Sequence, residues 1–594
     1  MKTNTTPIWF VLAVVLAAGV WFAEKHFSSA APKTEILLAG LRAADVTALE
    51  IIPAGERKIS LVRTNQTWVL TEPFNFPAQT VPVEALLAGL EKLSPALRLT
   101  AADMKSHPNV DAEFGFENPQ YTLDVTAGGQ SWHLRIGKKT APGDAVYVRL
   151  VGGAGAFVTD VNWLPLLPRN AAAWRDTSLI AATSAVDWIV ITNGAKVIEL
   201  RADPTNHLWR ITRGLPTSAR ADGTVIATAL QQLRSAHAVR FVADDPKADL
   251  ATYGLQPAEL DVWLGHGTNY LDAIHLGKES TENPGQIFAR REGWNSVVTV
   301  AKESLLPWRG GVNDFRDAHL MEVGHGVTAI EVRGDNSFTL TPRGTNGWQV
   351  GGEKFPVDTA NVQNFLRLLG NLQVAEYVKD VVTGTDLQNV GLATNTRAIT
   401  LRFANGATNS LQFGSAETNK VFVKRGDESF VYALAAADAD SLPQFGWKFR
   451  ERQLWNFSVT NVAQITLHQA GKTRQIIRNA ANRWALAPGS QGIVDPVGLE
   501  ETAKLLGTAG AAVWVEKNFT EPEKFGFNTN RLSVNFEMKT GETNTVDFGN
   551  EFQTQSGLTA LAAVTLDGER WAFVFPPVLY QLVPAYLTVA TGVH

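Results

Sequence analysis

The chain has 594 residues, 45% of them apolar and 19% charged, with a formal net charge of −5. That length exceeds one core: at roughly 150 residues per domain it implies about four domains, and the composition is that of folded protein. With no cysteine, disulfides, thiolate metal sites and a cysteine nucleophile are excluded, and without a long run of Lys and Arg a nucleic-acid partner is disfavoured.

Taken from the start, residues 1–7 precede an uncharged run from Ile8 to Ala23. A spanning helix needs about 17–25 apolar residues, so this run is near the lower limit, and Pro7, Trp9, Trp21 and Phe22 suit the membrane interfaces. Two readings compete: a signal peptide cleaved near Ser28-Ser29-Ala30-Ala31, or an uncleaved anchor. Pro32 beyond that cut, and Glu24 and Lys25 within the region before it, favour the anchor. Lys2 and the amino terminus lie before the run, so residues 1–7 are expected in the cytoplasm and the bulk of the chain outside it. No second long apolar run follows, which makes the expected protein single-pass.

Beyond the anchor the chain repeats. Three markers recur in order. The first is a strand tryptophan, Trp68, Trp209, Trp348 and Trp484, at nearly even intervals. The second is the glycine of Phe114-Gly115-Phe116, Tyr253-Gly254-Leu255, Val390-Gly391-Leu392 and Phe525-Gly526-Phe527. The third is a glycine ending an alternating strand: Gly137, Gly277, Gly414 and Gly549, each following its second-marker partner at an almost constant distance along the chain. Four modules follow, at 36–180, 181–321, 322–457 and 458–594.

Within the first module, Val46–Ile52, Ile59–Arg63 and Trp68–Leu70 read as strands. Leu86, Leu87, Leu90 and Leu93 then keep a helical spacing. The third module has the clearest helix, Val362 to Leu372, with Asp358 as its N-cap. In the fourth, Asp495 precedes Pro496, a cap followed by a first-turn proline. A short strand comes next, such as Ala238–Val242 or Ala512–Val515. After the second marker come four alternating strands, Tyr121–Val125, Trp132–Ile136, Val146–Leu150 and Ala156–Val158, suited to an antiparallel sheet with one covered face. Leu164-Pro165 and its counterparts close each unit. The expected fold class is α+β: four tandem modules, each largely antiparallel sheet with one main helix. Pro119 and Pro257 are expected to open an edge strand.

A shared linker separates the modules: Trp174-Arg175-Asp176, Phe315-Arg316-Asp317 and Phe449-Arg450-Glu451. Its aromatic residue followed by a base and an acid suits a segment that plugs into the neighbouring module, held by packing and an ion pair; a functional site made of these pairs is the other reading.

These markers together resemble the bacterial family called domain of unknown function 4340. The residues carrying the resemblance are Trp68 and Leu70, Phe114 to Pro119, Leu134 to Gly137 and Tyr147-Val148 in the first copy. In the second they are Trp209, Tyr253 to Pro257, Ile274 to Gly277 and Phe288. Copies three and four lack the proline and match by order and spacing. The resemblance implies a membrane-anchored or exported envelope protein, whose genes often sit beside those for permease and auxiliary subunits of ABC transport systems, including gliding-related ones. It implies no catalytic residues.

The residues themselves point to little chemistry. Eleven histidines are scattered, with no H-E-x-x-H or tight metal-binding pair. His133 and His275 sit on similar strands at different offsets from the third marker. Gly152-Gly153-Ala154-Gly155 runs into a strand, which makes it a hairpin turn and no phosphate cradle. The acids Asp244, Asp245, Glu521 and Glu523 lie in polar loops, and no G-x-S-x-G elbow is present. Trp163 and Trp294 are candidate exposed aromatics, and 281–286 and 552–558 read as mobile polar loops. The expectation is a non-enzymatic scaffold or accessory protein of the inner membrane, single-pass, with its bulk in the periplasm. It has no catalytic, cofactor or metal site, and its partners are the membrane and the permease or ATPase subunits of an ABC-type complex. The alternative is an envelope polysaccharide- or protein-binding repeat module, and a hydrolase is a third reading.

Overall fold

The computed structural model describes residues 35–106, 109–181, 184–394, 397–528 and 531–588. The expected anchor, Ile8 to Ala23, lies outside them. Among the described residues, no helix is long and apolar enough to cross a membrane.

Each repeat builds one antiparallel sheet. In the first, β1 (Val46–Pro53), β2 (Ile59–Thr64), β3 (Thr67–Glu72) and β4 (Phe76–Pro77) form a meander. Helix α1 (Thr80–Glu91) follows, then β5 (Pro95–Leu99), two short helices α2 (Ala101–Ser106) and α3 (Val110–Glu113), and a second meander. That meander is β6 (Tyr121–Ala127), β7 (Gln130–Lys139), β8 (Ala145–Leu150) and β9 (Ala156–Asp160). The strand order is β4-β3-β2-β1-β6-β7-β8-β9-β5. The helix therefore carries the chain across one face, from the β4 edge to the β9 edge. The second sheet repeats this order strand for strand. The third and fourth do so without a partner for β4.

Alternation explains the layering. Leu123, Val125, Leu134 and Ile136 project to one face and are buried, while Thr122, Asp124, His133 and Arg135 project to the other. The buried face packs on Val83, Leu86, Leu87 and Leu90 of α1, and each such side chain contributes about 1.5–3 kcal/mol. The helices start where their caps place them. Asp358 accepts from the Asn361 amide, and Asp495 from those of Val497 and Gly498.

Three expectations change. The strand after Pro119 and Pro257 is central, between the counterparts of β1 and β7; the prolines sit in the preceding turn, where no ladder hydrogen bond is needed. Residues 552–558 extend a hairpin between Thr543–Thr554 and Gly557–Leu566. A helical turn precedes the second marker in every copy: α3, Leu250–Tyr253, Gly384–Asn389 and Pro522–Phe525. The chain divides into two compact units after Arg316, each holding two sheets.

Candidate functional site

The second and third markers turn out to be one structure. Gly115, Gly254, Gly391 and Gly526 all have positive φ, between 68° and 79°, the left-handed conformation that ends the preceding helical turn. The carbonyl just before each then points at the third-marker glycine. A Cβ on Gly137, Gly277, Gly414 or Gly549 would lie 2.1 Å from the oxygen of Phe114, Tyr253, Val390 or Phe525 respectively. The Lys138 amide donates to Phe114 O and the Ser415 amide to Val390 O, both at 2.8 Å. In every copy the strand register shifts at this glycine, a bulge that makes room for the crossing turn. The glycines form a seam between the two halves of the module, with Phe114 stacked on Tyr147 at 4.3 Å beside it.

The linkers pack and form ion pairs, but their aromatic residues do not plug into the neighbouring module. Trp174, Phe315 and Phe449 are buried, and Trp174 and Phe315 belong to the cores of the modules they leave. Each linker runs back along the segment preceding its own module's main helix: Gln79 N donates to Trp174 O, Asp222 N to Phe315 O and Asp358 N to Phe449 O. The aromatic plug is thus a latch on its own module. What reaches the neighbour is Arg175 with Asp176 in the first linker and Arg450 in the third.

Arg175, 2% exposed, donates to both carboxylate oxygens of Asp244 and, at 2.9 Å, to Ser296 Oγ in the second module. Its guanidinium carbon lies 3.8 Å from the ring centre of Phe74 and 3.5 Å from that of Phe241, an aromatic sandwich with one ring from each module. Burial pulls its pKa down, against the hydrogen bond to Asp244. Asp176 returns the exchange by accepting from Arg291 of the second module at 2.9 Å. Phe76 packs edge-on to Phe241 at 5.3 Å and beside Trp294 at 5.7 Å.

The joint between modules three and four reuses the plan. Arg450 bonds Asp567 at 2.9 Å and lies 4.6 Å from the Trp571 ring and 5.5 Å from that of Phe355. Trp514 Nε1 donates to Arg450 O, and Lys517 joins Glu353 to Glu569. Glu451 contributes its amide, which donates to Pro356 O. Arg316 is buried, with Nη1 on Asn313, and Asp317 accepts from the His319 amide.

The first marker stands apart from both groups. Trp68 Nε1 donates to Glu84, which also pairs with Arg63, and Arg63 lies over the indole. The fourth module repeats this with Trp484, Glu500 and Arg478. Val225 and Asn364 occupy the glutamate position behind Trp209 and Trp348, which are half-buried. A recess of about 680 Å³ borders Trp484, Pro496 and Val497. The Arg478 donors on its wall are already spent on Glu500 and the carbonyls of Val459, Val462 and Asn482.

Among the described residues no group of three or more His, Asp or Glu is placed to hold a metal ion. Trp163 is buried, with Nε1 on Thr159, and Trp294 lies in the first joint, so neither is an exposed platform. His133 and His275 face the same way, because their offsets from the third marker differ by an even number. Each pairs with the aspartate directly across the ladder, Asp124 or Asp261. Sequence reasoning misses the cages, since Phe74, Phe241, Asp244 and Ser296 follow no spacing rule. It also misses the Trp-Glu pairs, although Glu84 and Glu500 stand at the same offset from their tryptophans.

No curated protein matches the chain. Among solved structures, the crystal structure of the DNA polymerase III subunit beta from Pseudomonas aeruginosa is similar at 8% identity, over 66% of this chain and 92% of that one, with a TM-score of 0.11; a superposition so poor carries no argument. The sequence model of Domain of unknown function (DUF4340) matches residues 68–219, 209–383 and 348–530, each span opening on a marker tryptophan. Those overlapping spans cover most of the chain, which therefore belongs to the DUF4340 family.

Proposed function

We propose that the chain is a non-enzymatic scaffold, anchored in the inner membrane by Ile8 to Ala23 and working outside the cytoplasm as an auxiliary component of a membrane transport complex. The observation that carries this reading is the construction of the joints. A protein that holds partners at set positions needs modules that do not swing, and each unit locks its two modules with a buried arginine between aromatic rings of both. What recurs from module to module, the glycine seam and the latch, serves to hold backbone in place. The link to ABC-type permease and ATPase subunits comes from the family resemblance.

The test is extraction of native membranes with a mild detergent, followed by purification through a tag on the chain and identification of what accompanies it. Permease or ATPase subunits in fixed ratio are expected. Recovery of the chain alone, under conditions in which a known transport complex of the same membrane stays whole, overturns the proposal.

A further inference from the structure

Across the face of the second sheet opposite its helix runs a row of polar side chains. Thr192 Oγ1 donates to Asp261 Oδ2 at 2.9 Å. Asp261 Oδ1 lies 2.6 Å from His275 Nδ1, and His275 Nε2 lies 2.5 Å from Glu292 Oε2. Thr192, Asp261 and His275 stand on three adjacent strands, and Glu292 follows directly on the fourth, Gln286–Arg291. The histidine is 8% exposed. A neutral imidazole has one N–H and one bare nitrogen, whereas ionised carboxylates only accept. Both contacts are satisfied together only by the imidazolium.

We propose that His275 is a protonation switch that sets the firmness of the joint between the first and second modules. Glu292 is the link. It opens the turn that carries Trp294, which packs on Phe76, and Ser296, which bonds Arg175. Protonated His275 pins Glu292 and holds that turn. The neutral ring can donate to only one carboxylate, and Glu292, at the partly exposed end of the row, is the one released.

The groups facing the ring are Asp261 from one neighbouring strand, Arg290 directly across on the other with Glu292 beyond it, and Tyr270 from its own strand; Asp272 pairs with Leu264 on the opposite face, where it accepts from the Ala181 amide. Trp263 meets it edge-on at 5.8 Å. Burial opposes the charged form, but the hydrogen bonds to Asp261 and Glu292 outweigh it and hold the imidazole above its ordinary value. Asp261 is lowered in turn, chiefly by His275. Tyr270 is pushed up to about 12 by burial and then by Asp272 and Glu292. The folded value being raised, the clamp is complete below about pH 6.5 and is lost as pH climbs through the raised midpoint. This inference concerns the joint alone and stands whether or not the transport reading holds.

Two measurements on the full chain test it. In long-range proton–nitrogen spectra of the ¹⁵N-histidine protein, both His275 nitrogens should carry protons at pH 6, with a midpoint above about 6.5; a single neutral tautomer at pH 6, or a midpoint below about 6.5, overturns the proposal. Hydrogen exchange, corrected for its intrinsic pH dependence, should quicken over 286–297 and 74–79 between pH 6 and 9, by about tenfold for each unit of raised midpoint. His275→Gln should abolish that dependence, and its persistence overturns the switch. Should that variant fail to fold, Glu292→Gln keeps the histidine and must lower its midpoint; an unmoved midpoint is equally fatal.

Discussion

Replacing Arg175 with alanine probes the first joint directly. The change deletes a two-pronged bond to Asp244, a bond to Ser296 and the stacking between Phe74 and Phe241. Hydrogen bonds to a charged group contribute about 1.5–3 kcal/mol, and a desolvated cation–π contact about 2 kcal/mol. Against these stands the cost of burying a guanidinium, several kcal/mol before pairing, raised by an Nε without a partner among the described residues. Breaking a fully buried pair costs about 3–5 kcal/mol, but the Asp244 side chain is 34% exposed and regains water. The expected net loss is about 2–4 kcal/mol. In hydrogen exchange on the full chain this speeds local opening roughly thirtyfold to a thousandfold at 74–79 and 238–244. The joint at Arg450 serves as an internal control and should not change. Arg175→Met keeps most of the volume and should cost less than half as much. Exchange within threefold of wild type in the alanine variant would refute the claim that Arg175 holds the joint. Equal loss in alanine and methionine would assign the joint to the ion pair and leave the sandwich without weight.

Other perturbations follow from the same contacts. Gly137→Ala or Gly414→Ala puts a Cβ 2.1 Å from a backbone carbonyl and should cost about 3 kcal/mol, whereas Gly128→Ala, in a turn with open space around it, should cost about 1 kcal/mol; thermal melts separate the two. Glu500→Gln removes the charge facing Arg478, whose side chain is 8% exposed, and should loosen the fourth module by about 1–2 kcal/mol, read by proteolysis of that module alone. The Asp386 carboxyl is held down to about 2 by Lys379 and then by the Thr383 amide and hydroxyl. A depressed value means that its cap is present above about pH 4 and lost as pH falls through about 2. A carboxyl titration by NMR should find that midpoint, and one near 4 would contradict the cap.

The elements of this fold are legible in the sequence because each depends on a short-range rule. Leu123, Asp124 and Val125 alternate as a one-sided strand must, and Val83, Leu86, Leu87 and Leu90 recur as a helix face must. The recurrence of Gly115 and Gly137 is legible too, but their meeting is not: β6 and most of β7 lie between them in the chain, and the bulge in β7 makes room for the contact. The linker misleads for a related reason. Trp174 precedes the second module in sequence, yet it packs in the core of its own module, so it folds back. Arg175 and Asp176 are left to find partners ahead, and those partners, Asp244 and Arg291, lie 69 and 115 residues on.

The joints also bear on what the repeating unit is. Phe76 and Phe355 hold equivalent places just before the main helices of modules one and three, and each supplies a ring to the next module's aromatic cluster. Modules two and four carry Ala219 and Gly492 at that place, too small to do so. Conversely, Phe241 and Trp514 line the receiving edge strands of modules two and four. The chain thus alternates a module that offers an aromatic ring with one that receives it, a period of two modules laid over the period of one. The single module is the unit of folding pattern, defined by its glycine seam. Within each pair the contact between modules is defined by Arg175 or Arg450. Exchanging Phe76 for alanine should therefore weaken the first pair, read as faster hydrogen exchange at 238–244, and leave protection at the Gly115 and Gly137 seam unchanged. Equal loss of protection at both places would mean that seam and joint open together, and the pair would then be the unit of folding as well.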